Sequence, residues 1–247
     1  MWLIIGISGA TCSGKSSLAH SLQEILQGST LICQDDFFLP EDSEKHTLIP
    51  NLKHNNWEIM SSLDMEKMHK TVNNILSSKS VKTTSLQTLE KIANEISSNN
   101  SEKGTEITKR TGDHRERFGT STDTMAKING EYSNTGKREN VEAFQMNILI
   151  IEGFLIFNDK KLADLCQMKY FLTLEREECW TRRNSRTYNP PDVPGYFDQC
   201  VWPEYVKHRD QVFQQVSDIN IIDGTKTRST ILNEVLLDIV RRAKVII

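Results

Sequence analysis

Gly9-Ala-Thr-Cys-Ser-Gly-Lys-Ser16 is the stretch that decides the fold of this chain. It reads G-x-x-x-x-G-K-S and is followed by Ser17. Before it runs the apolar segment Trp2-Leu-Ile-Ile5, and after it Leu18, Leu22, Ile25 and Leu26 fall on one helical stripe that Gly28 closes. A buried strand, a glycine loop and a helix in that order form a phosphate cradle. Glycine allows the backbone to wrap an anion closely, and the successive N–H groups with the helix N-terminus supply positive potential. Gly9, Ala10, Thr11, Cys12, Ser13, Gly14, Lys15, Ser16 and Ser17 are therefore the candidate phosphate contacts. Lys15 is placed to reach the β- and γ-phosphates, and the Ser16 hydroxyl to sit on Mg²⁺.

Outward from the loop, strands are expected at residues 2–8, 30–33, 146–151, 169–174 and 218–222. Helices are expected at 15–27, 62–77, 176–186, 198–215 and 228–243. Five strands alternating with helices predict an α/β fold with a five-stranded parallel sheet and right-handed crossovers. Residues 39–60 read as an irregular loop. Residues 79–140 are rich in Ser, Thr, Asn, Lys, Glu and Gly and read as a long polar, disordered or loosely structured insert within a single domain spanning 1–247. Within it, Leu86, Leu89, Ile92, Ala93 and Ile96 mark one short amphipathic helix.

In doubly wound sheets ligands bind at the carboxyl ends of strands. Asp35 and Asp36 end the second strand, and Glu152 ends the third. Transfer of a phosphoryl group to a hydroxyl needs a carboxylate to orient that hydroxyl and take its proton, and it needs oxygen ligands for Mg²⁺. Asp35 suits both tasks, and Glu152 suits the metal side, directly or through water. Arg182, Arg183 and Arg186 follow the fourth strand; 182 and 186 share a helix face. They read either as a clamp on phosphate and substrate oxygens or as a solvated face paired with Glu175, Glu177 and Glu178. Phe38, Trp57 and Tyr188 read either as a sandwich for a flat ring, whose positive charge Trp and Tyr faces would favour, or as ordinary core and loop packing.

Composition narrows the alternatives. With 247 residues, 26% of them charged, and a net charge of −3, the chain predicts neither a nucleic-acid nor an acidic-membrane partner. Five cysteines, with no CxxC pair, read as reduced thiols, and the six histidines show no metal-ligand spacing. No apolar run reaches membrane length, and the default expectation is a cytoplasmic protein.

Several stretches together resemble the nicotinamide riboside kinases, a branch of the uridine kinase-like P-loop family. They are Ile4–Ser16, Gln34-Asp-Asp-Phe-Phe38, Ile150-Ile-Glu-Gly-Phe-Leu155, Glu178-Cys179, Arg182-Arg183, Tyr188-Asn-Pro-Pro-Asp-Val-Pro-Gly-Tyr-Phe-Asp198, Val201-Trp-Pro203 and Asp223-Gly-Thr225. The resemblance implies a P-loop NTPase-type three-layer sandwich with a helical lid. It implies ATP-dependent, Mg²⁺-dependent phosphorylation of the 5′-hydroxyl of nicotinamide riboside, and of nicotinic acid riboside, for NAD synthesis. Asp35 then becomes proton acceptor and metal ligand with Ser16, and Phe38, Trp57 and Tyr188 become the nicotinamide clamp. Glu58 and Arg183 become the ribose contacts, with Asp36, Phe37 and Asn189 beside them. Arg182, Arg186, Thr187 and Tyr188 face ATP, as do Lys226, Thr227 and Arg228. The family carries Asp where Glu58 stands. A uridine- or cytidine-type kinase and a non-catalytic protein that docks a partner through the insert stay open as alternatives. A GTPase switch is disfavoured, since no N-K-x-D guanine-reading motif occurs.

Overall fold

The computed structural model describes residues 1–78, 83–103 and 145–246. Its centre is β1 (Trp2–Gly9), buried at seven of its eight positions because it is covered on both faces. β6 (Gln145–Glu152) pairs with one side of β1 and β7 (Met168–Thr173) with the other. β2 (Thr30–Cys33) pairs beyond β6, and β8 (Ile219–Asp223) beyond β7. All five run parallel in the order β2-β6-β1-β7-β8. These are the five strands expected, and their apolar side chains face both ways.

Helices cover the two faces and make three layers. One core cluster joins Ile5, Ile7 and Ile150 to α1 (Lys15–Ile25) and α7 (Arg228–Ile246) through Leu18, Leu22, Val235 and Ile239. The other joins Ile4, Leu149 and Ile151 to α2 (Met65–Ser77), α4 (Lys160–Leu165) and α6 (Trp202–Gln215) through Met68, Leu162 and Val212. Each such side chain taken fully out of water contributes about 1.5–3 kcal/mol. α2 starts at Met65, because Asp64 caps it: its carboxylate accepts the Lys67 N–H at 2.9 Å. α5 (Arg176–Asn184) follows β7, and a wide π-type turn (Phe197–Val201) leads into α6.

Four elements go beyond the expectation. α4 is only six residues long, too short to show periodicity, and is held by the Asp159 cap on the Leu162 N–H at 2.9 Å. Within the loop 39–60, β3 (Leu48–Ile49) and β4 (His54–Asn55) form a two-residue antiparallel ladder. β5 (Thr84–Ser85) adds an antiparallel strand to the start of β6, and α3 (Leu86–Lys103) follows directly. Leu89 is fully buried, and Leu86, Ile92, Ala93 and Ile96 pack on the same cluster as α1 and α7. The amphipathic stripe in the polar segment therefore belongs to the core. Residues 79–82 and 104–140 of the expected insert lie outside the described residues. Among the described residues, no helix is long and apolar enough to cross a membrane.

The register brings the strand ends level. Cys33 lies beside Glu152, Glu152 beside Ile7, Gly9 beside Leu172, and Thr173 beside Asp223. Everything that follows is built on that carboxyl edge.

Candidate active site

The loop closes over the end of β1. At Gly9 φ is +131°, and a Cβ there would lie 2.0 Å from the Leu172 carbonyl oxygen, so glycine is obligatory. Gly14, at φ +98°, turns the chain into α1, and its carbonyl accepts the Leu18 N–H at 2.9 Å. The Lys15 ammonium is buried and donates to the Ala10 carbonyl across the loop at 2.7 Å. The Ser16 hydroxyl donates to Glu152 Oε1 at 3.1 Å, joining the loop to the end of β6.

Two clefts meet on this loop. The first, about 430 Å³, lies over β2 and β6 and is lined by Lys15, Ser16, Asp35, Trp57, Glu58, Glu152 and Arg183, with Tyr188 and Asn189 from the lid, the segment 176–195 made of α5 and the loop after it. The second, about 420 Å³, lies between α1, α5 and α7 and is lined by Ser13, Arg182, Gly224, Lys226, Thr227 and Arg228. Cys12, Gly14, Ser17 and Arg186 line both, so the loop is the seam between them.

Burial sets the electrostatics of the first cleft. Asp35 opens towards solvent in the cleft yet is walled by protein; that enclosure pushes its carboxyl above the usual range. Lys15 and Arg186 pull it down, and Asp36 pushes it further up. Glu152 is pushed up first by burial and then by Asp35, against Lys15 and the Ser16 hydroxyl. Glu58 is raised by burial most of all, with Arg183 opposing.

Arg183 organises the lid. It is buried, and its fork donates to Asp192 Oδ2 from Nε at 2.6 Å and to Oδ1 from Nη2 at 2.9 Å. Nη1 donates to Thr11 Oγ1 at 3.2 Å, and Nη2 lies 3.3 Å from Glu58 Oε1. The guanidinium also covers one face of Tyr188, 4.4 Å from the ring centroid. Tyr188 Oη in turn lies 3.2 Å from Cys12 Sγ. Arg182 does different work. It donates through Nε to Glu178 at 2.6 Å and through Nη1 to the carbonyls of Gly224 at 2.9 Å and Cys12 at 3.4 Å. It is a clasp between lid, loop and the turn after β8.

Phe38 meets Trp57 edge-on with centroids 5.8 Å apart and stacks on Phe154 at 5.9 Å. These three rings form the apolar wall of the first cleft.

Most of the residues singled out in the sequence are thus brought together. Five are not. Phe37 is 7% exposed and packs in the core with Met68 and Val72, because the short turn Gln34–Phe37 points it away from the cleft. Asp36, next in that turn, is exposed and lines neither cleft, and exposed Thr187 also lies outside both. Gly9 and Ala10 also line neither cleft: Ala10 is fully buried, its N–H donates to the Leu172 carbonyl at 2.9 Å and its carbonyl accepts from Lys15 at 2.7 Å. Sequence reading missed Asp192, Tyr196 and Phe154. A partner nine residues beyond Arg183, across a proline turn, has no periodicity to reveal it.

Among the described residues, no three His, Cys, Asp or Glu side chains gather to enclose a metal ion. What the site offers an ion is the hard-oxygen group of Ser16, Glu152 and Asp35 at the loop.

A parallel sheet with this glycine loop on its carboxyl edge, and a cleft on each side, defines a P-loop protein that handles nucleotide phosphates. Within that class the chain belongs to the phosphoribulokinase / uridine kinase family, whose model matches residues 4–221. It is 32% identical to mouse nicotinamide riboside kinase 1 over 96% of this chain and 93% of that protein. It is 34% identical to human nicotinamide riboside kinase 2 over 97% of this chain and 81% of that protein. With the nicotinamide riboside kinase of Schizosaccharomyces pombe the identity is 25%, over 85% of this chain and 80% of that one.

Proposed function

We propose that this chain transfers the γ-phosphoryl group of ATP to the 5′-hydroxyl of nicotinamide riboside, and of nicotinic acid riboside as a second acceptor. The observation that carries the reading is the pair of clefts meeting at the loop. A donor base in the second cleft and an acceptor in the first have their reacting groups at one seam, where the entropy of bringing two substrates together is met by binding.

Asp35 lies on the acceptor side of that seam and takes the proton of the attacking hydroxyl. Its raised carboxyl is a better base than an ordinary aspartate once ionised. Glu58 and Arg183, paired at 3.3 Å, offer an acceptor and a donor to a vicinal diol. Lys15 and Arg186 line the seam and face the charge that builds on the transferred group. The residues present fit a Mg²⁺ ion: Ser16 and Glu152, which share a hydrogen bond, and nearby Asp35 would hold it through hard oxygen atoms. The bound ion would neutralise phosphate charge.

The acceptor base follows from the cleft's chemistry. Five carboxylates (Asp35, Glu41, Glu58, Glu152, Asp192) line it against three cations (Lys15, Arg183, Arg186). With Phe38 and Trp57 in its wall, a cationic pyridinium ring gains both field and ring-face attraction that neutral uracil lacks. Phosphorylation assays with nicotinamide riboside, nicotinic acid riboside, uridine and cytidine in parallel test the reading. It expects the first acceptor to give the highest kcat/KM. Preference for uridine or cytidine refutes the substrate assignment, and no turnover of any nucleoside refutes the enzyme.

A further inference from the structure

The segment Asn56–Glu58 carries two side chains into the acceptor cleft, yet lies in a loop with no regular element of its own. Its backbone is tied down by the Asn56 side chain, by Tyr196 in the cleft wall and by α6 outside the cleft. The Glu58 N–H donates to Asn56 Oδ1 at 2.9 Å, and Asn56 Nδ2 donates to Glu204 Oε1 at 3.2 Å. The Trp57 N–H donates to Tyr196 Oη at 3.0 Å. The Glu58 carbonyl faces His208 Nε2 at 3.1 Å. Glu204 and His208 are four apart on α6 and share a face, with Glu204 Oε2 3.3 Å from the same Nε2. Both neighbours of Nε2 are acceptors, so Nε2 carries the proton. Among the described residues, buried Nδ1 has no hydrogen-bond partner, which a protonated nitrogen there would tolerate poorly.

We propose that His208, oriented by Glu204, is a positioning residue for acceptor binding: it pins the Glu58 carbonyl to α6 and so fixes the Glu58 carboxylate against the nucleoside's ribose hydroxyls. The proposal rests on the reading of the first cleft as a nucleoside site. It assigns α6, which lines neither cleft, a share in acceptor affinity. The donor side is untouched, because neither Glu204 nor His208 lines the second cleft.

The test compares His208→Ala, His208→Gln, Glu58→Ala and the His208→Ala/Glu58→Ala double variant. The acceptor is whichever nucleoside the wild type phosphorylates best, so a wrong substrate assignment shows in the wild type alone. Acceptor Kd is read by calorimetry with a non-hydrolysable ATP analogue present, beside KM for both substrates. A neutral hydrogen bond of about 0.5–1.5 kcal/mol corresponds to about two- to tenfold. His208→Ala should raise acceptor Kd and KM by that factor and leave the KM for ATP within twofold. His208→Gln, whose Nε2 can reach the same carbonyl, should recover most of it. On the Glu58→Ala background His208→Ala should add little. The proposal is overturned if acceptor affinity is unchanged, if both substrates weaken together without recovery in His208→Gln, or if the two losses multiply.

Discussion

Replacing Arg183 by Met removes the cation that the lid is built around and leaves its partners behind. The Arg183 side chain is 7% exposed, against 14% for Glu58 and 29% for Asp192. Truncating one partner of a buried ion pair costs about 3–5 kcal/mol. Water reaches Asp192, so the lower end applies, about 3 kcal/mol. For a domain of this size about 1 kcal/mol moves the melting point by 2–4 °C, so a fall of about 6–12 °C is expected. The pH dependence carries the sharper prediction. Glu58 is held above its ordinary value by burial, and Arg183 is the main influence lowering it. Without Arg183 the carboxyl rises further. An acid whose pKa is higher in the folded than in the unfolded state favours folding more as pH falls through that raised value. The variant therefore regains stability on acidification before the wild type does, and the gap in melting point should narrow between pH 7.5 and 5.5. Calorimetric melts of both proteins without ligands measure it. A gap below 2 °C at pH 7.5, or one that widens in acid, refutes the reasoning.

Asp35→Asn should lower kcat by about 10²–10⁴-fold, the usual contribution of a general base, while ATP still binds in a titration; near-normal turnover would end its assignment as proton acceptor. Because enclosure raises the Asp35 carboxyl, the acid limb of kcat/KM should lie above the pH at which an ordinary aspartate titrates; a pH–rate profile decides. Trp57→Ala should weaken a cationic acceptor by about 0.5–2 kcal/mol, roughly two- to thirtyfold, and a neutral nucleoside by less, read as the ratio of the two KM values. Excising residues 104–140 should spare turnover, since the entropy of closing a loop changes only slowly with its length. Extending the excision back to residue 86 should lower the melting point sharply, because it strips Leu89 from the core.

How much of this was legible in the sequence depended on the length of each signal. β1, β6 and β7 are near-continuous apolar runs, and the glycine loop has fixed spacing, so the sheet and its phosphate seat could be read directly. Asp35, Ser16 and Glu152 followed, because strand ends converge in a parallel sheet. What failed were features one turn long or set by tertiary contact. Asp36 and Phe37 were grouped with Asp35, but a single turn after β2 sends Phe37 into the core and Asp36 out to solvent. The Arg182–Arg183 pair was legible as cations only. That one would clasp backbone carbonyls while its neighbour bound Asp192 bidentately depends on where the loop after Pro190 returns. The role of Glu204 and His208 lies on a helix face whose neighbour is 150 residues away.

The most direct measurement is a crystal structure with nicotinamide riboside and a non-hydrolysable ATP analogue both bound. The account predicts the nicotinamide ring against Phe38 and Trp57, the adenine beside Lys226 to Arg228, and the 5′-oxygen within about 3 Å of the Asp35 carboxylate, facing the terminal phosphate. A riboside bound with its 5′-oxygen turned away from Asp35, or both ligands on one side of the glycine loop, would contradict it.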